Sequence, residues 1–153
     1  MSQTTTYVLV IFLSFGGFNI ARYIRHHKKN VEEPLVCPLR ANCDHVIHSD
    51  YSKFLGMPLE ILGMVYYGLL AVSYGLIIIF SVFDPPIIDS ILLFIVTCAF
   101  IFSLYLTLLQ AFVIKNWCTW CLISFVICAT IFILASSASP LYSALFSNIF
   151  LSL

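Results

Sequence analysis

Cys118-Thr119-Trp120-Cys121 opens a long apolar run, and a C-x-x-C motif in that place is the strongest chemical signal in the chain. Two intervening residues bring the sulfurs within disulfide range, and the first turn of a helix adds unpaired N–H groups and a partial positive charge. Both favour the thiolate, which is the nucleophile in thiol–disulfide exchange and, at a lowered pKa, the better leaving group. A staple across two residues closes too short a loop to stabilise much. The pair therefore reads as redox-active.

Cys37 and Cys43 form a second pair, C-x5-C, in CPLRANC, where Pro38 stiffens one arm and Ala41 and Asn42 permit a turn. That spacing suits a structural clip as well as a redox pair. With His45 and His48 nearby, the four cysteines could also supply a zinc site. Structural zinc pairs usually have two to four residues between ligands, so no metal is assigned. Cys98 and Cys128 fall inside apolar runs, where a lone cysteine packs as a small hydrophobe. Taken alone, Ser49 is a turn residue, Tyr67 and Phe125 are core or lipid-facing aromatics, and Trp117 and Trp120 fit an interfacial belt.

The elements that must hold these residues follow from composition. The 153 residues are 61% hydrophobic and 9% charged, with mean hydropathy +1.04. That is a membrane protein, far from both soluble and disordered compositions. Seven Lys and Arg balance seven Asp and Glu, so no net charge draws the chain to nucleic acid. A spanning helix needs about 20 apolar residues, and four runs qualify: 7–24, 61–83, 91–114 and 117–135. Asp84, Pro85 and Pro86 separate the second and third, and Gly56, Met57 and Pro58 mark a turn before the second. The expected fold is all-α, a polytopic four-helix membrane bundle with a polar loop over 25–60 between the first two spans. Since the second and third spans form a hairpin, both cysteine pairs face the same water.

The tail, 141–153, is too short to cross and reads as an interfacial helix or the stub of a fifth span. The first run lacks a preceding basic residue and a small-residue cleavage pattern, so it reads as a retained span. No repeat or low-complexity linker divides the chain, and one domain over 1–153 is expected.

The run from Cys37 to Tyr67, CPLRANCDHVIHSDYSKFLGMPLEILGMVYY, followed by WCTWC at Trp117–Cys121, resembles the vitamin K epoxide reductase family. The two loop cysteines, a serine six residues on, the G-x-P turn and a helix-borne C-x-x-C carry the likeness. It implies a four-helix bundle around a quinone of the ubiquinone or menaquinone type. Electrons would pass from a partner's thiols to Cys37 and Cys43, then to Cys118 and Cys121, then to the quinone, with Cys118 exchanging with the loop and Cys121 nearer the ring. By the same resemblance Ser49 would bond the loop or a quinone oxygen, and Tyr67 and Phe125 would line the ring pocket. Vertebrate members carry tyrosine where this chain has Phe125, and loss of that hydroxyl weakens epoxide chemistry. Many bacterial relatives continue into a thioredoxin-like domain. This chain ends at Leu153, so the thioredoxin-like partner is expected to be a separate protein.

The implied activity is a membrane thiol oxidase coupled to quinone reduction. The alternatives are reduction of vitamin K epoxide itself and a non-catalytic zinc-binding membrane protein. All seven basic residues, Arg22, Arg25, Lys28, Lys29, Arg40, Lys53 and Lys115, fall on the cysteine side. The positive-inside rule puts that side in the cytoplasm, whereas the resemblance puts it outside, where disulfides persist.

Overall fold

The computed structural model describes residues 3–29, 43–54, 56–80 and 86–139. Cys37, Pro38, Arg40 and the tail 141–153, on which expectations were placed, lie outside the described residues.

A backbone that leaves water must satisfy its own N–H and C=O groups, and an apolar run does so as an α-helix. The long helices are α1 (Gln3–Lys29), α3 (Leu59–Ile79), α4 (Pro86–Leu109) and α5 (Thr119–Ala138); α2 (Cys43–Ile47) is a short helix ahead of α3. Among the described residues four helical stretches are long and apolar enough to cross a membrane, the third running on from α4 to Ile114. The molecule is the expected all-α four-helix membrane bundle.

The ends differ from the apolar runs for local reasons. α1 extends through His26, His27, Lys28 and Lys29, because long basic side chains lie along a helix end and still reach water. α3 stops at Ile79, where Phe80 leaves helical geometry while its N–H bonds the Leu76 carbonyl. α4 starts at Pro86, earlier than Ile91, since a proline in the first turn lacks only an N–H that would have no helical partner.

The buried positions of α1 include Tyr7, Val10, Ser14, Gly17, Ala21 and Ile24, alternating steps of three and four. Such a seam packs against a neighbouring helix at a shallow crossing angle, and its small residues let the backbones close in. The partner is α3. A methyl on Gly63 would meet the Ala21 side chain at 3.6 Å, and Gly17 lies directly under the Tyr67 ring. Tyr7, Val10, Tyr67, Leu70, Leu92, Val96 and Ile131 form the main core, joining all four long helices. On the outside, Phe12, Phe15, Val72, Ile79, Phe94, Phe112 and Ile133 are 62–74% exposed. Such a surface has its proper solvent in lipid.

Between α2 and α3 a 3-10 turn (Asp50–Ser52) leads into a two-stranded hairpin, β1 (Lys53–Phe54) and β2 (Met57–Pro58), with Lys53 opposite Pro58 and Phe54 opposite Met57. Gly56 turns it at φ +82°, a conformation that suits glycine. The Phe54 ring meets Phe102 of α4 edge-on, 5.1 Å between centroids, so the hairpin rests on the bundle.

Candidate functional site

The chain enters α5 through a compact reversal. A π-helical turn, Gln110–Ile114, closes α4, and Lys115 then adopts a left-handed conformation at φ 53°. For a non-glycine residue this costs about 1–2 kcal/mol. Asn116 supports it by donating its side-chain N–H to the Ile114 carbonyl at 3.2 Å. The π turn also aims Gln110 inward, where its Oε1 accepts the Cys118 N–H at 3.4 Å. Cys118 is thereby held at the N-cap of α5 in extended geometry, and its carbonyl accepts the Leu122 N–H at 3.0 Å.

Cys118 and Cys121 both carry free thiols. Hydrogen bonding from the Cys121 side chain holds the Cys118 thiol below its ordinary range. The backbone N–H groups of Cys121 and Trp120 act in the same direction, against the effect of burial. Free N–H groups at a helix start favour an anion there, so the thiolate expected of this motif has a structural basis at Cys118.

The two sulfurs have different surroundings. Cys118 is fully buried in a cluster with Ile24 of α1 and Cys43, Val46 and Ile47 of α2. Cys43, 1% exposed, is disulfide-bonded. One cysteine of the loop and the leading cysteine of the C-x-x-C motif thus share one packed cluster, although they are far apart in sequence. Trp120 covers this region from α5, its ring 4.9 Å from that of Tyr23.

Cys121 lines a cavity of about 470 Å³ bounded by the long helices and the α2–hairpin segment. Cavities of about 300–1,000 Å³ accommodate small molecules and cofactors. The walls are largely aliphatic, with Ile24, Leu62, Val65, Leu69, Ile95 and Leu106 among them. Tyr67 contributes from α3, its hydroxyl donating to the Ser124 carbonyl at 3.1 Å and lying 3.0 Å from Ser124 Oγ. Tyr66 approaches Cys128 Sγ at 3.8 Å. A thiol therefore stands in the wall of an apolar chamber, next to the packed cluster that holds Cys118 and the disulfide-bonded Cys43.

The vitamin K epoxide reductase family model matches residues 8–136 of the 153, from α1 into the last turn of α5. The chain belongs to the vitamin K epoxide reductase family. No curated protein is similar enough to the chain to match it. Membership makes the protein a multi-pass membrane oxidoreductase, of the quinone-linked thiol kind in general.

Of the residues singled out by the family pattern, Ser49 lies just past α2, ahead of the 3-10 turn, where its Oγ donates to the Val46 carbonyl at 2.7 Å, and it borders the cavity. Tyr67 borders it too. Phe125 is not among the lining residues: Cys121, Ser124 and Cys128 occupy that face of α5, whereas the Phe125 ring stacks towards Phe100 of α4, 6.1 Å between centroids. Cys37 lies outside the described residues. Among the described residues no three His, Cys, Asp or Glu side chains gather as metal ligands, and His45 and His48 are exposed.

Sequence reasoning passed over Glu60, Gln110 and Tyr66 and used Lys28 only for its charge. Lys28 Nζ reaches Glu60 Oε1 at 2.7 Å and Ser52 Oγ at 3.2 Å, tying the end of α1 to the start of α3. The available signal was Glu60 itself, an acid in the first turn of an otherwise uncharged span. Gln110, an amide inside the third apolar run, was a similar sign.

Proposed function

We propose that this protein oxidises a separate thioredoxin-like dithiol partner and delivers the electrons to a quinone of the ubiquinone or menaquinone type, supporting protein disulfide formation. The observation that carries the reading is the division between Cys118, packed with the disulfide-bearing Cys43, and Cys121, set in the wall of the apolar cavity. In this scheme the partner's dithiol reduces the Cys37–Cys43 disulfide and leaves as a disulfide. The loop dithiol then reduces a Cys118–Cys121 disulfide by exchange, its thiolate attacking one sulfur while the other departs. Cys43 attacks Cys118 with Cys121 as the leaving thiolate, and Cys37 then attacks Cys43, releasing the Cys118 thiolate and re-forming the loop disulfide. A quinone supplies the acceptor for the two electrons and two protons that the re-formed dithiol gives up. Ser49 and Tyr67, which border the chamber, are assigned to shaping it, while Phe125 stacks towards Phe100.

The cysteine face is assigned to the extracytoplasmic side, because disulfides and their substrates persist there. The basic residues on that face argue the other way, and the labelling experiment given in the Discussion decides between the two orientations.

A trapped exchange intermediate tests the relay. With Cys37 and Cys121 both replaced by serine, the mixed disulfide between Cys43 and Cys118 should accumulate under mild oxidation. It would shift mobility on a non-reducing gel and yield a joined Cys43–Cys118 peptide by mass spectrometry. Absence of that linkage, with zinc bound at one equivalent instead, would overturn the relay.

A further inference from the structure

Glu60 stands apart from the other polar side chains of the cavity. It sits in the first turn of α3 with 6% of its side chain exposed, and it lines the same chamber as Cys121. Oε1 is occupied by the Lys28 ammonium at 2.7 Å, whereas Oε2 is enclosed and has no hydrogen-bond partner among the described residues. Other polar groups on that wall are already engaged: the Tyr67 hydroxyl with Ser124, the Tyr66 hydroxyl with Cys128, Ser49 Oγ with the Val46 carbonyl and Gln110 Oε1 with the Cys118 N–H. A buried carboxylate oxygen without a donor is costly, and a carboxylate ion-paired to Lys28 offers only acceptors.

We propose that Glu60 Oε2 accepts a hydrogen bond from a ring hydroxyl of the cavity's ligand, so that the site holds the reduced, hydroxyl-bearing quinol more tightly than the quinone. The inference rests on the quinone reading given above. A quinone presents only carbonyl acceptors, which an anionic oxygen repels, whereas a quinol presents O–H donors. The overall step, dithiol plus quinone to disulfide plus quinol, moves two electrons and two protons to the ring and thereby creates the donor that Oε2 lacks. Glu60 touches the ligand but takes no electrons; it sets which redox form the chamber prefers. Favouring the quinol draws the reduction forward at the site and slows product release.

The test is binding, separated from turnover. The full-length Cys118→Ser/Cys121→Ser protein in detergent is titrated with a short-tailed ubiquinone and with its quinol, following tryptophan fluorescence. Glu60→Gln is then added in the same background, since glutamine keeps an oxygen for Lys28 and replaces Oε2 with an N–H donor. The quinol Kd is expected to rise about tenfold or more, as for loss of a hydrogen bond to a charged group. The quinone Kd should stay the same or fall. Equal changes in both constants, or an unchanged quinol Kd, would overturn the inference while leaving the quinone reading intact. If Glu60→Gln fails to fold, Glu60→Asp withdraws the oxygen by one methylene and should erase the same preference; a retained preference would overturn the inference. Should the parent protein bind neither form, the quinone reading itself falls, and this inference with it.

Discussion

A thiol at the head of a helix, bonded by its neighbour, gives the Cys118 sulfur a measurable signature. Its pKa is lowered, so the thiolate forms at lower pH than in an ordinary cysteine and persists as pH falls. The chief cause is the Cys121 side chain. Cys121→Ala should therefore move the Cys118 titration, followed by thiolate ultraviolet absorbance, to higher pH; an unmoved midpoint would assign the effect to the backbone N–H groups. Cys118→Ala and Cys121→Ala should each reduce quinone-dependent oxidation of dithiothreitol to background, a loss of at least about a hundredfold if the pair carries the chemistry. Both variants should stay folded: removing the buried Cys118 sulfur leaves only a small cavity, for about 1 kcal/mol, and melting should fall by no more than a few degrees. Near wild-type turnover in either variant would make the motif structural. Cys43→Ser should block a folded thioredoxin-like substrate more than dithiothreitol, since a small thiol reaches the helix end directly. Equal loss with both would place the loop in the acceptor site or the fold.

At the scale of elements, the α1–α3 contact positions Tyr67. A methyl on Gly17 would lie 2.5 Å from the Tyr67 ring, closer than any side-chain contact tolerates. Gly17→Ala should therefore push the ring off Ser124 and destabilise the bundle by about 1–3 kcal/mol, as overpacking does. Tyr67→Phe keeps the ring and removes only the hydroxyl, for about 1 kcal/mol. Comparing thermal melts of the two in detergent separates them: Gly17→Ala should melt lower. Equal melting would mean that α1 shifts freely over α3. The Lys28 contacts with Glu60 and Ser52 pin the other end of this helix pair to the segment that follows α2.

For the whole molecule, sidedness governs which partners the cysteines meet. Lys53 is exposed on the hairpin at the cysteine end, so Lys53→Cys offers a reporter with little structural effect. A membrane-impermeant maleimide should label it in intact cells, above the background of the parent protein, while a reporter fused at Met1 should read as cytoplasmic. Labelling only after lysis would put the active face inside, as the positive-inside rule has it. Complementation of a strain lacking its own membrane disulfide oxidase would follow only from the outward orientation.

The four spans and the C-x-x-C pair were legible in the residues because both are local. Hydrocarbon leaves an apolar run little choice but helix, and two cysteines three positions apart at a helix start meet whatever surrounds them. The packing was legible in part: the alternating three- and four-residue steps of α1 mark a seam, but not its partner. A helix apolar all round carries little information about its rotation, since lipid and protein neighbours reward the same side chains. Hence Tyr67, whose hydroxyl bonds Ser124 fifty-seven positions away, and Phe125, turned to Phe100 instead of the cavity, were decided only when the helices packed. The same holds for the Lys28–Glu60 pair, thirty-two residues apart and set by the depth of α1 against α3. Chain chemistry determined that there would be spans and thiols; rotation and depth of the helices, which only tertiary contacts specify, decided what faces the chamber between them.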